Sequence, residues 1–276
     1  MFFDVSHPEI QDAVRRALAE DIGTGDITSN LCVQGEARGS GIMVAREALT
    51  LAGVELLPLI FDGCSVDLTR HSGDRLRDGD QIAVVHGPAR ALLTGERTAL
   101  NFIQRLSGIA AAASAYVCEV EGTGCRILDT RKTTPGLRRL EKMAAAAGGA
   151  TNHRMGLFDA VLIKNNHITA AGGVRAALER TRGAGVPIEI EVRTRPELDE
   201  ALAYGATHLL LDNLHPDEAR EWISYIGGRA TVELSGGITL ENARAYAETG
   251  ADFLSSGAIT HSARAVDINL RLELLP

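Results

Sequence analysis

The chain has 276 residues, of which 45% are hydrophobic and only 4% aromatic, and a formal net charge of -8. That is enough apolar chain to bury a sizeable core, as two domains or as one barrel with an appendage. An acidic chain with so few rings lacks the basic stripes and stacking platforms of a nucleic-acid surface, so any anionic ligand must be drawn by a local basic cluster.

In chain order, His7 to Asp21 carries apolar residues at Ile10, Val14, Ala17 and Leu18, a helical spacing that stops at Gly23 and Gly25. Short strands are predicted at Gly41 to Arg46, Ser65 to Arg70 and Gln81 to His86, with a helix over Gly53 to Phe61. Gly73-Asp74 and Asp78-Gly79-Asp80 carry turn chemistry. From Pro88 a long helical pattern runs through Leu92, Leu93, Ala99, Phe102, Ile103 and Leu106. A break is expected at Ser107-Gly108, before an alanine-rich second helix at Ala110 to Val117, and this segment is the expected linker.

Beyond Cys125, strand and helix alternate. Apolar runs stand at Ile127-Leu128, Ala160 to Ile163, Ile188 to Val192, His208 to Leu211, Ala230 to Leu234 and Asp252 to Leu254. Helical segments follow them, among them Leu137 to Ala147, Val174 to Arg182, Glu197 to Tyr204, Pro216 to Ile226 and Leu240 to Glu248. Successive βα units imply a parallel sheet, because parallel neighbours need a crossover connection. An open doubly wound sheet gathers its ligand residues at one switch point, whereas here polar residues follow every strand, the pattern of a β/α barrel with a common mouth. Fewer strands are visible than the eight of a full barrel. Either one or two are hidden in Gly148 to Asp159, or the barrel is incomplete.

The cysteines, Cys32, Cys64, Cys118 and Cys125, show neither CxxC spacing nor histidines at zinc-finger intervals, and are expected to be reduced, buried fillers. No uninterrupted apolar stretch reaches ~18 residues and Met1 to Pro8 lacks signal-peptide character, so no membrane span is expected and the cytoplasm is the expected address.

The segment Asp129-Thr130-Arg131-Lys132-Thr133-Thr134-Pro135-Gly136-Leu137-Arg138 places a carboxylate, hydroxyls and adjacent cations at the end of an apolar strand. Two cations a few Å apart repel by roughly 4 kcal/mol at an effective dielectric of about 20, so Arg131 and Lys132 call for solvent or an anion. Lys164 follows the next strand as a further cation. Ser235-Gly236-Gly237 and Ser256-Gly257-Ala258 close the last two strands, where barrel enzymes bind phosphate; each is also ordinary turn chemistry when taken alone. Glu191 and Asp212 end neighbouring strands, and such carboxylates serve either as a Mg²⁺ seat shared with substrate phosphates or as salt-bridge partners of Lys164 or Arg131 without metal. His153, placed before a strand, reads as a structural hydrogen bonder, and Arg97 as part of a solvated helix face.

Taken in order, Glu20 to Asp26, Glu96 to Asn101, Asp129 to Arg138, Gly148 to Arg154, Ile163 to His167, the glycine turns and Thr260-His261-Ser262 resemble the quinolinate phosphoribosyltransferase family over nearly the whole chain. The resemblance implies an α/β protein with an N-terminal α/β sandwich domain over 1–109, to which the tail 268–276 can return, and an incomplete, seven-stranded α/β barrel over 110–267. It implies a homodimer in which Arg97 of one subunit enters the other's site. The substrate's two carboxylates would be held by Arg131, Lys132, His153, Arg154 and Lys164, with Thr130 also among the substrate-binding residues and Glu191 and Asp212 facing the ribose and Mg²⁺-pyrophosphate. Ser235, Gly236, Gly237, Ser256, Gly257 and Ala258 would take the 5-phosphate, and Lys132, Glu191 and Asp212 would carry the catalysis. The implied reaction is transfer of phosphoribose to quinolinate with loss of CO2. The rival readings are a paralogue with another acceptor and a non-catalytic phosphosugar-binding regulator.

Overall fold

The computed structural model of the chain describes residues 4–275. Its first third contains helices α1 (Pro8–Ile22) and α2 (Ile27–Cys32), strands β1 (Arg38–Ala45) and β2 (Leu49–Thr50), and a 3-10 turn (Val54–Leu56) running into α3 (Leu57–Ile60). Strands β3 (Ser65–Leu68), β4 (Arg75–Leu76) and β5 (Gln81–Pro88) follow, and then helix α4 (Ala89–Glu119). The remainder is β6 (Arg126–Leu128), α5 (Arg138–Ala147), β7 (Val161–Ile163), α6 (Asn165–Ala171), α7 (Val174–Thr181), β8 (Ile188–Val192) and α8 (Arg195–Ala203). It continues with β9 (His208–Asp212), α9 (Pro216–Ile226), β10 (Thr231–Ser235), α10 (Leu240–Ala247), β11 (Phe253–Ser255), α11 (Ala258–His261) and β12 (Ile268–Leu274).

The chain forms two compact units. Met1–Ser114, Thr133–Gly149 and Ile259–Pro276 make up the first, Ala115–Lys132 and Ala150–Ala258 the second. The sequence reading places 1–109 and a returning tail 268–276 in the first unit and 110–267 in the second; here 133–149 also counts with the first unit, and the returning part begins at Ile259. Helix α5 counts with the first unit because Glu141, fully buried on it, accepts from Arg105 Nη2 at 3.0 Å, and because Gly148 lies so close to α4 that a Cβ would sit 2.2 Å from the Ala110 carbonyl.

The first unit is built on an antiparallel sheet in the order β12-β1-β5-β3, with Ile42 opposite both Val84 and Arg271. β1 alternates buried and less buried residues, as a strand with one covered face must. β12 carries the end of the chain back to pair with β1 along seven residues. The break expected at Ser107-Gly108 does not occur, since α4 runs unbroken through 31 residues. Glycine there serves close packing instead of termination: a Cβ on Gly108 would lie 2.0 Å from the Arg264 carbonyl oxygen. The neighbouring Ser107 Oγ accepts from the Ala52 N–H at 2.9 Å, which satisfies a buried donor. Gly108→Ala therefore gains about 1 kcal/mol of helix propensity but costs more in backbone displacement. The thermal midpoint is expected to fall by several degrees; an unchanged or raised midpoint would contradict the packing role.

The second unit is a parallel sheet in the order β6-β11-β10-β9-β8-β7. The seventh strand is reduced to one residue inside the segment where it was sought. Thr151 bridges Leu128 in parallel, donating to the Ile127 carbonyl at 2.8 Å and accepting from Asp129 N–H at 3.2 Å. The result is an incomplete barrel whose sheet has β7 at one margin and Thr151 at the other. Crossover helices begin with capping boxes, Thr194 with Glu197 on α8 and Thr239 with Asn242 on α10, and α9 starts at Pro216. One face of each strand is apolar and almost fully buried: Ile190, Val192, Leu209, Leu211, Val232, Leu234 and Leu254. The other face carries the polar residues.

Candidate functional site

Strand alternation sorts the site. Along β8 the non-apolar face presents Glu189 and Glu191 and, one step past the strand, Arg193; along β9 it presents His208, Leu210 and Asp212; along β10, Thr231, Glu233 and Ser235. The register puts Leu210 opposite both Glu191 and Glu233, and Asp212 opposite Ser235. Glu189 therefore lies one residue pair below Glu191, Glu233 shares the rung of Glu191, and Asp212 lies one pair above it at the carboxyl ends.

Near the strand ends, Glu191 is only 4% exposed. Its Oε1 accepts from Arg193 at 3.0 Å (Nε) and 2.8 Å (Nη2), and its Oε2 stands 3.6 Å from Lys164 Nζ. Arg193 Nη2 also reaches to 3.8 Å from Asp212 Oδ2, which accepts from Asn213 Nδ2 at 2.6 Å. Two carboxylates and two cations thus form one neutral group on three adjacent strand ends. Of the salt-bridge alternatives, the Lys164 to Glu191 pairing is present, and the second partner is Arg193, which sequence reasoning did not single out.

Asn213 has φ 60, the only positive value at a non-glycine among the described residues. Its N–H donates to the Ser235 carbonyl at 2.8 Å, and Gly236 (φ 93) lies so close that a Cβ would meet Asn213 Oδ1 at 2.2 Å. A left-handed asparagine costs of order 1 kcal/mol and persists where its surroundings over-determine it. Here it locks the Asp212 turn to the Ser235-Gly236-Gly237 turn. Gly237 follows with φ 64, and α10 begins three residues later. Ser256 is buried: its N–H donates to the Leu128 carbonyl at 3.2 Å and its Oγ to the Ile238 carbonyl at 3.0 Å. It braces the two glycine turns, and Gly257 and Ala258 continue from it into α11.

The basic cluster is organised around Asp129, fully buried, whose carboxylate accepts from His153 N–H at 2.8 Å and Asn152 Nδ2 at 2.6 Å. That carboxylate ties the loop after β6 to the loop before β7, bringing 130–132 and 151–154 together. Thr130 Oγ1 accepts from the Lys132 N–H at 3.1 Å, and Lys132 itself is exposed. Arg154 donates from Nη1 to the Ala160 carbonyl at 3.1 Å, while its Nε is buried without a hydrogen-bond partner. Burial and then the neighbouring Arg131 charge pull the pKa of Arg154 below its ordinary value. An unpaired buried donor beside a second guanidinium is the arrangement an anion would satisfy.

His153 Nε2 lies 3.2 Å from Glu189 and 3.4 Å from Glu233. Among the described residues these three form a group whose ligand atoms lie within 4.8 Å of one another, beside a cavity of about 470 Å³ that they help to line. Against the opposing effect of burial, the two carboxylates push the imidazole pKa up to about 9. The Arg154 N–H donates to Nδ1 at 2.8 Å, a bond that favours the neutral ring, whereas the two carboxyl groups at Nε2 favour the charged one. Burial raises the Glu233 carboxyl in turn. A folded pKa above the ordinary 6.5 means that the stabilisation is complete below pH 6.5 and is lost as pH rises through about 9. The melting-temperature advantage of wild type over His153→Gln should therefore shrink across that interval; an advantage constant with pH would show that the ring stays neutral.

Glu191 and Asp212 offer hard oxygen donors of the kind that bind Mg²⁺ together with substrate phosphates, and they share one face of the strand ends, so the donor set fits that ion. Among the remaining expected residues, Arg97 is exposed on α4 in the first unit. Sequence reasoning missed Arg193, Glu189 and Glu233. Each is two residues from one that it named (Glu191 or Ser235), so the same-face rule for strands would have found them.

A barrel-like parallel sheet whose strand ends carry paired carboxylates, cations beside them and a left-handed glycine turn at Gly236-Gly237 defines the class of phosphate-handling α/β barrel proteins. More narrowly, the chain belongs to the quinolinate phosphoribosyl transferase family, whose N-terminal domain matches residues 26–107 and whose C-terminal domain matches residues 109–271. It is 43% identical to the nicotinate-nucleotide pyrophosphorylase (carboxylating) of Mycobacterium leprae, covering 99% of this chain and 100% of that one. It is 41% identical to the probable enzyme of that name from Bacillus subtilis, covering 98% and 96%. The crystal structure of NadC from Streptococcus pyogenes superposes with a TM-score of 0.93 at 36% identity, covering 97% of this chain and 98% of that one.

Proposed function

We propose that the chain transfers phosphoribose from phosphoribosyl pyrophosphate to the ring nitrogen of quinolinate and releases the 2-carboxylate as CO2, giving nicotinate mononucleotide and pyrophosphate for NAD synthesis. The observation that carries this reading is the Arg131 and Arg154 pair, joined to one loop system by Asp129 and holding a buried donor without a partner. A doubly charged pyridine dicarboxylate would accept from that donor on Arg154 and balance the two guanidinium charges.

Departure of pyrophosphate leaves positive charge on the ribose, and the Glu191 carboxylate, 4% exposed, is fixed in advance to face it. Asp212 stands beside it, held by Asn213. Lys132 stabilises the leaving anion, and Thr130, Arg131, His153, Arg154 and Lys164 hold the acceptor's carboxylates. The turns at Ser235-Gly236-Gly237 and Ser256-Gly257-Ala258 hold the 5-phosphate. Mg²⁺, held by Glu191 and Asp212, would neutralise charge on the pyrophosphate. Once the ring nitrogen is alkylated, the pyridinium takes up the electron pair released with CO2, and a proton then replaces the carboxylate at that carbon.

The protein works as a cytoplasmic homodimer in this reading, with Arg97 of one subunit completing the partner's site. Exposed apolar side chains support association: Ile27 and Leu31 on α2 in the first unit, Leu157 and Phe158 in the second. Arg97→Ala and Lys164→Ala homodimers should each be nearly inactive, yet equal mixing with re-association should restore about a quarter of wild-type activity, from one intact site per mixed dimer. Mixed dimers without recovered activity would place Arg97 outside the site.

A further inference from the structure

Among the described residues Arg193 joins Glu191 to Asp212, and no role described above uses it. Its main chain is fixed, because its N–H donates to Glu197 Oε2 at 2.8 Å within the cap of α8. Its side chain is 46% exposed. It is a tethered cation with a movable head, at the position where a divalent ion held by the two carboxylates must approach. Two carboxylates, Arg193 and Lys164 already sum to zero charge, so a divalent cation entering without displacement would leave an excess of two positive charges. The guanidinium takes Glu191 Oε1 through both Nε and Nη2, leaving that oxygen little capacity for a metal.

We infer that Arg193 is a resident counter-ion of the Glu191 and Asp212 pair, which it yields to the metal, and that the freed guanidinium then binds the diphosphate of phosphoribosyl pyrophosphate. The inference rests on the metal seat proposed above. Exchange of this kind keeps a buried acid compensated while the site is empty and delivers a bidentate anion binder when the substrate arrives. Sequence position agrees, since residue 193 falls two past Glu191 and so continues the same face of the strand.

The test is Mn²⁺ binding to the substrate-free protein, followed by the loss of free-ion electron paramagnetic resonance signal, for wild type, Arg193→Gln and Asp212→Asn. Arg193→Gln should bind Mn²⁺ roughly fivefold more tightly, the scale of a released part-exposed ion pair. With Mg²⁺ present, calorimetry should show the same variant binding inorganic pyrophosphate about tenfold more weakly, the loss of a charge-assisted pair. Unchanged or weaker Mn²⁺ binding by Arg193→Gln, with binding lost in Asp212→Asn, overturns the exchange while the metal seat stands. Equal Mn²⁺ binding in all three proteins removes the seat and the exchange together. Tighter Mn²⁺ binding with unaltered pyrophosphate affinity overturns the transfer to substrate.

Discussion

Glu191→Gln is expected to lower kcat for nicotinate mononucleotide formation by about 10²- to 10³-fold, the loss typical when one preorganised charge is removed from a developing transition state. The substitution keeps the side chain's shape, so the sheet and its apolar face are preserved. What changes is charge: Arg193 and Lys164 lose the acid they flank, and the ribose loses the carboxylate facing its positive centre. Product pyridine nucleotide and CO2 should fall in parallel, because decarboxylation depends on prior transfer. KM for quinolinate should change far less than kcat, since Glu191 does not belong to the carboxylate-binding cluster. A variant with near wild-type kcat would remove Glu191 from the chemistry, whatever its effect on stability.

Arg154→Ala should lower kcat/KM for quinolinate by about 10²-fold, corresponding to one or two charge-assisted hydrogen bonds to a carboxylate. Stability is expected to stay level or to rise. Arg154 carries a buried Nε without a partner and sits against the Arg131 charge, so the folded protein holds it at a cost. Truncation relieves that cost and removes the binding together, a division expected of groups kept for ligands rather than for folding. A large fall in melting temperature with intact quinolinate kinetics would assign Arg154 to structure.

The fold was legible where period and punctuation agree. β8 and α9 begin and end where the sequence placed them, because an alternating, β-branched run and a proline-initiated helix leave little choice. The error at Gly108 has the opposite origin: helix propensity marks glycine as a breaker, but the requirement for close approach to residue 264 is a tertiary fact with no local sign. The same holds for α5, whose allegiance to the first unit depends on buried Glu141 meeting Arg105, 36 positions away. Within the site, the strand-end carboxylates, the cations and the glycine turns were all readable from their places after apolar runs. The sequence reads His153 as a structural hydrogen bonder, and its ring meets Glu189 and Glu233, but those carboxylates come from β8 and β10 across the intervening β9 and one rung apart, a juxtaposition with no local sign. Arg193 lies one step past the last residue of β8, where only the continued two-residue period of the strand marks it as facing the site.

The central claim is decarboxylating phosphoribosyl transfer to quinolinate. The direct measurement supplies quinolinate labelled in its 2-carboxylate, phosphoribosyl pyrophosphate and Mg²⁺, and follows labelled CO2 together with nicotinate mononucleotide, with nicotinate as the control acceptor. Labelled gas released one for one with the nucleotide, none without phosphoribosyl pyrophosphate, and negligible nucleotide from nicotinate is the expected result. Nucleotide formed from nicotinate as readily, or quinolinate recovered with its label intact, would contradict the assignment.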